Sequence, residues 1–145
     1  MVGFGGCSTR LLSESLSRFS TLREFEFSCC QLSDDDVETL IQALAGHSRL
    51  TKIHLCDNEA GARGMAALAA LLSKPDSSLA DLDLSLCKVD NEGALILAAA
   101  LVGNSTLRKL DIAQNGDITV TGWQALLTQL LDPQLPLEIP LLMPL

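Results

Sequence analysis

Residues 79–106 read LADLDLSLCKVDNEGALILAAALVGNST. The segment opens with apolar side chains at its first, fourth and sixth places, Leu79, Leu82 and Leu84. The last two have the spacing of one face of a short strand, on which successive side chains point to opposite sides. Further on, Ala94, Leu97 and Leu101 recur at three- and four-residue intervals, the spacing of one helix face, and Gly103 ends the run. The segment is therefore one strand followed by one helix.

The same register recurs outward in both directions. Segments beginning at Leu22, Leu50, Leu79 and Leu107 start 28, 29 and 28 residues apart. Their fourth and sixth places hold Phe25/Phe27, Ile53/Leu55, Leu82/Leu84 and Leu110/Ile112. Their ninth places hold Cys30, Asn58, Cys87 and Asn115 in alternation. A lone strand–helix unit cannot bury its apolar face, but stacked units bury a continuous core between a parallel sheet and a helix layer. The expected fold is an α/β right-handed solenoid with strands on the concave face and helices on the convex face. Strands are predicted near 25–27, 53–55, 82–84 and 110–112, and helices near 9–18, 36–45, 62–73, 92–102 and 122–131.

The whole chain, 1–145, reads as a single domain of this kind. Residues 1–21 align with the second half of a repeat, with Leu12 and Leu16 at the places of Leu97 and Leu101. Full repeats cover 22–49, 50–78, 79–106 and 107–136, the last with one extra residue around Gly116–Asp117. Residues 137–145 form a degenerate end, broken by Pro140 and Pro144 close behind Pro136. The expectation is a slice of a longer solenoid, prone to self-association through its uncapped ends.

This pattern resembles the leucine-rich repeats of the ribonuclease-inhibitor-like class. That class alternates 28-residue repeats carrying Cys with 29-residue repeats carrying Asn at the ladder place, as Cys30, Asn58, Cys87 and Asn115 do. Pro75 and Pro133 follow the helices of the longer repeats, as is common there. The resemblance implies the horseshoe fold and a surface that holds other proteins. Sensor regions of NOD-like receptors and Ran GTPase-activating protein belong to the same class.

Composition narrows the function. The chain has 145 residues, of which 48% are hydrophobic and 3% aromatic, with no tyrosine. Ten basic against eighteen acidic residues leave a net charge of −8, which argues against nucleic acid and anionic membrane surfaces. No run approaches the roughly 18–20 apolar residues of a membrane span. The start MVGFGGCSTR lacks the basic and apolar regions of a secretory signal. Five cysteines, an odd number, fit free thiols in a reducing compartment, so a cytoplasmic protein is expected.

Each candidate site has a structural reading within the repeat. Cys30 is a ladder residue expected to be buried with Cys87, whereas Cys29 and Cys56 are expected to be more accessible. Adjacent side chains on extended chain diverge, so Cys29 and Cys30 make a poor chelate, and no CxxC or HxxxH spacing points to zinc. Ser33–Asp36 precede a helix and suit its N-terminal cap better than a calcium loop, which needs alternating ligands and a distal Glu. His47 is expected in a loop. His54 and Cys56 lie side by side on one strand face, without the third group that orients a nucleophile. GFGG and GARG lack a phosphate-loop pattern, and Trp123 reads as a volume filler. The expectation is no enzyme, no catalytic residues, no metal and no cofactor.

The concave face remains. Its columns read Glu24, Lys52, Asp81, Lys109 at place three and Glu26, His54, Asp83, Asp111 at place five, with Asp57 at place eight. Neighbouring strands lie about 4.8 Å apart, so Asp81, Asp83 and Asp111 form an acidic cluster flanked by Lys52 and Lys109. Their mutual repulsion invites a binding role, and a protein partner with a basic surface is expected. The alternatives are a small-GTPase regulator in the manner of Ran GTPase-activating protein, or a passive structural spacer.

Overall fold

The computed structural model describes residues 6–19 and 21–138. Helices and strands alternate as α1 (Gly6–Leu16), β1 (Glu24–Glu26), α2 (Asp34–Leu44), β2 (Lys52–His54), α3 (Ala62–Leu72), β3 (Asp81–Asp83), α4 (Asn91–Leu101), β4 (Lys109–Asp111) and α5 (Val120–Leu130). The strands form one parallel sheet in chain order, and each helix packs only on its sequence neighbours in the helix layer. This is the stacked solenoid that the period predicts. Each strand begins one residue earlier than expected, because sheet bonding already starts at place two, where Arg23 O accepts from Thr51 N and Lys52 N.

Register pairs place with place. Phe25, Ile53, Leu82 and Leu110 lie in one row, between the rows Glu24/Lys52/Asp81/Lys109 and Glu26/His54/Asp83/Asp111. Ile53, Leu55, Leu82 and Leu84 are fully buried against Leu40, Leu68 and Leu97 of the helix layer. The end strands are less covered, and Phe27 and Leu110 are only partly buried.

The ladder residues hold the turns. Asn115 Nδ2 donates to Leu84 O and Ile112 O at 2.9 Å, and its Oδ1 accepts from Cys87 N at 3.0 Å and Val89 N at 2.9 Å. Asn58 does the same for Phe27 O, Leu55 O, Cys30 N and Leu32 N. Each Asn therefore ties its own turn to the turn of the preceding repeat. The Cys87 thiol reaches back in turn, donating to Leu55 O at 3.1 Å. Cys30 departs from the expectation of burial. Among the described residues no earlier strand lies beside it and its thiol donates to Ser28 O alone, and it is half-buried.

Burial pushes the Cys87 thiol up to about 12. Because the folded value lies above the unfolded one, this thiol favours folding fully at neutral pH, and that contribution is lost as pH rises from about 9 toward 12. Native-state labelling should modify Cys29 and Cys56 well before Cys87. Early loss of Cys87 would contradict the register.

The aspartate run is divided between two helices. Ser33 and Asp36 form a reciprocal capping box on α2. Burial pushes the Asp36 carboxyl up, but the bonds from Ser33 outweigh it and hold the group below its ordinary value. Asp34 caps the next helix instead, accepting from Arg63 N at 3.2 Å and Gly64 N at 2.7 Å. Asn91 repeats the arrangement on α5, accepting from Thr119 N and Gly122 N. The helices so served, α3 and α5, have no side-chain cap bond from their own N-cap residues, Gly61 and Thr119.

Helix C-termini are also bonded from the following repeat. His47 Nε2 donates to Leu16 O at 2.8 Å, Lys74 Nζ to Ala45 O, and Asn104 Nδ2 to Leu72 O at 3.2 Å. His47 lies in the loop after α2, as expected, and is buried there as a tie between repeats.

A Cβ on Gly64 would lie 2.9 Å from both Asp34 Oδ1 and Val37 Cγ1. Asp34→Ala is expected to cost about 1–2 kcal/mol, the usual range for a lost N-cap. Gly64→Ala should displace the same carboxylate, so chemical denaturation of the double variant should show a loss smaller than the sum of the two.

Candidate binding surface

The open face of the sheet is built from residues at places three and five, because places four and six point into the core. The 28- and 29-residue spacings, in parallel register, bring these residues into columns. The two ends of the face differ in their electrostatics.

At the β1 end the charges answer one another. Lys52 Nζ lies 3.3 Å from Glu24 Oε2 and 3.6 Å from Glu26 Oε1, and the Glu24 carboxylate bonded to it holds its ammonium above the ordinary value. His54 Nε2 bonds Asp81 Oδ1 at 3.0 Å across the β2–β3 step. His54 is therefore engaged with a carboxylate of the next strand.

At the β4 end no ion pair among the described residues takes up Asp83, Lys109, Asp111 or Glu138. These four side chains line a groove of about 510 Å³ together with His54, Asp81 and Leu110. The two aspartates are nonetheless held in place. Asp83 Oδ1 accepts from Ser85 N at 2.9 Å and Ser85 Oγ at 2.6 Å, and Asp111 Oδ1 accepts from Ala113 N at 2.9 Å. These local turns fix the carboxylates at the strand ends without neutralising them.

The columns inferred from the sequence are thus brought together, but they divide into a paired half (Glu24, Glu26, Lys52, with His54–Asp81) and an unpaired one (Asp83, Lys109, Asp111). Asp57 stands apart on the turn after β2, exposed and in the left-handed region with φ 59°, like Cys29, Leu86 and Gln114 at the same place. Glu138 is a groove residue that the sequence reading missed. Its N–H donates to Arg108 O at 2.7 Å, extending past β4 the bonding by which Lys109 N donates to Ala80 O. The signal was the strand-like alternation resuming after Pro136, within a segment whose prolines argued against a ladder. Residues 139–145 lie outside the described residues.

No group of three or more His, Cys, Asp or Glu residues with metal-binding geometry occurs among the described residues, and no described helix is long and apolar enough to cross a membrane. The family model for the leucine-rich repeat matches residues 20–40, 76–98 and 103–127. Pig (Sus scrofa) ribonuclease inhibitor is 33% identical over 112 residues, covering 77% of this chain and 25% of that protein. With the Cys/Asn alternation, that likeness decides the class. The chain is a leucine-rich repeat protein of the ribonuclease-inhibitor-like class. Cattle (Bos taurus) NACHT, LRR and PYD domains-containing protein 5 is 30% identical over 118 residues, covering 81% of the chain and 11% of that protein. Human (Homo sapiens) NACHT, LRR and PYD domains-containing protein 13 is 34% identical over 94 residues, or 65% of the chain and 9% of that protein. This leucine-rich repeat chain therefore spans about a quarter of the inhibitor it resembles and about a tenth of the NACHT proteins.

Proposed function

We propose that this leucine-rich repeat domain is a binding module, not an enzyme, that holds a basic segment of a protein partner on the open face of its sheet. The observation that carries the reading is the division of that face. Three carboxylates without ion pairs among the described residues, on Asp83, Asp111 and Glu138, converge on one groove, while Glu24 and Glu26 at the other end share Lys52. Leu110 supplies an apolar floor for the stem of a lysine or arginine. The inhibitor among the relatives bears a name that describes action on another protein, which supports the same class of role here.

The test is the double variant Asp83→Asn/Asp111→Asn. Asparagine keeps an acceptor for Ser85 N and Ala113 N, so stability should stay within about 0.5 kcal/mol of the parent. Affinity for a labelled oligo-arginine peptide should fall, and so should its salt dependence, because attractive charge has been removed. Unfolding with unchanged peptide affinity would make the aspartates structural and end this reading. A passive spacer would show no groove-localised binding even in the parent.

A further inference from the structure

We propose that His54 makes the groove responsive to pH: protonation of its imidazole weakens the hold on a basic segment of the partner, and a bound basic segment in turn drives that proton off. The proposal rests on the groove as the binding site and adds its regulation.

Among the described residues that line the groove, only His54 is of a type whose ordinary charge change falls between about pH 5 and pH 8. Its Nε2 lies 3.0 Å from Asp81 Oδ1. An ionised carboxylate can only accept, so Nε2 carries the proton of this bond and Nδ1 is the atom that gains or loses one. The bond therefore persists in both states, and what changes is charge. A neutral ring leaves the Asp81 carboxylate to attract a cation, whereas an imidazolium cancels it. The two side chains are 27% and 28% exposed, so solvent protons reach the ring while the pair is screened less than an open surface pair.

The surroundings give that one charge its weight. Glu26 stands beside His54 in register from β1, and Asp83 does so from β3, next to Asp81. Lys52 and Cys56 flank it on its own chain, two places to either side, and Lys109 and Asp111 follow on β4. The helices pack on the other face of the sheet. Lys52 is shared by Glu24 and Glu26, which leaves His54 as the cation at hand for Asp81. Within the groove Asp81, Asp83, Asp111 and Glu138 face Lys109 and His54. Formally, four carboxylates against one ammonium leave three negative charges with His54 neutral and two with it protonated. One proton thus removes a third of the attracting charge.

The coupling runs both ways. A partner cation held beside Asp81 and Asp83 repels an imidazolium, so binding favours the neutral ring and releases a proton. Linkage makes the two effects equal in size. The carboxylates are the competing source of pH dependence, and such groups ordinarily titrate near about pH 4, below the range in which histidine does.

The experiment uses the full chain and a labelled oligo-arginine peptide, whose charge is constant over the range. Fluorescence anisotropy gives affinity between about pH 8 and pH 5.5 at one ionic strength, and NMR follows the His54 imidazole with and without peptide. Affinity should fall about three- to tenfold from the upper to the lower end of that range. The peptide should lower the midpoint of the His54 titration by the logarithm of the limiting affinity ratio. His54→Gln keeps an amide that can donate to Asp81 but takes up no proton. Shown by its melting curve to be folded, it should vary in affinity by less than about twofold across the range. A parent affinity that does not change with pH overturns the proposal. So does a His54 midpoint that the peptide leaves in place, or a His54→Gln variant that keeps the parent's pH dependence. The midpoint is measured on the parent, so it decides the matter even where the variant does not fold. At the upper end of the range, Asp83→Asn/Asp111→Asn tests the groove itself. Weaker binding by that variant, with no pH dependence in the parent, sinks the His54 switch and leaves the groove standing. Parent binding that the variant leaves intact, or no parent binding at all, sinks the groove and the switch with it.

Discussion

Leu82→Ala is expected to lower the free energy of unfolding by about 2–5 kcal/mol. Leu82 is fully buried at the centre of β3, with Ile53 and Leu110 beside it in the sheet. Truncation removes the transfer free energy of its side chain and leaves a cavity that strands on both sides hold open. Domains have total stabilities of only about 5–15 kcal/mol, so one such change is a large fraction of the whole. Position in the stack adds a second expectation. Repeats contact only their neighbours, so a defect in an inner repeat uncouples the units on either side. Urea unfolding should show a lowered midpoint, and fluorescence of Trp123 should part from the helix signal. The control is Leu110→Ala, which holds the same place in the partly covered end strand and should cost less than half as much. Equal losses for the two would mean that the register does not set the core.

Asn115→Ala should be comparably severe, about 3–5 kcal/mol, although it removes no apolar surface. Its side chain is the partner of Cys87 N, Val89 N, Leu84 O and Ile112 O, and the site is buried. Each backbone group left without a partner away from water costs about 1–3 kcal/mol. Asn115→Asp separates the two halves of this role. It preserves size and the acceptor facing Cys87 and Val89, but turns a carboxylate oxygen toward two carbonyls. Burial and those carbonyls should raise the new carboxyl group's pKa above its unfolded value. The variant should therefore be least destabilised at low pH and lose stability as pH rises through the range between the unfolded and folded values. A penalty independent of pH would show that the carboxylate is hydrated in the folded chain.

How far the sequence could be read depended on whether a residue's role repeats. Leu82, Ile53 and Leu55 were assigned to the core from spacing alone, because a period of two on a strand and of three to four on a helix leaves only one face to bury. Cys87 and Asn115 were legible as ladder residues for the same reason. Roles that depend on an end of the array were less legible. Cys30 has the same place as Cys87 but is half-buried, since burial there depends on an earlier strand and not on local pattern. The loop position of His47 was legible but its burial as a tie was not, because its partner, the carbonyl of Leu16, lies 31 positions away.

The aspartates of residues 34–36 show the same limit. Composition marks them as cap residues, and Asp36 serves its own helix. That Asp34 crosses to the next helix follows from the packing of neighbouring repeats, in which its carboxylate fills the space a Cβ at Gly61 or Gly64 would take. The candidate site divides likewise. The sequence by itself determined the strand–helix period, the register and the residues that share the open face, because a linear repeat maps directly onto a stack. Only the tertiary structure decided that Lys52 meets both Glu24 and Glu26, that His54 bonds Asp81, and that Glu138 joins Asp83 and Asp111 around a groove. Those choices turn on separations of a few ångströms between side chains of neighbouring repeats, and a period carries no information at that scale.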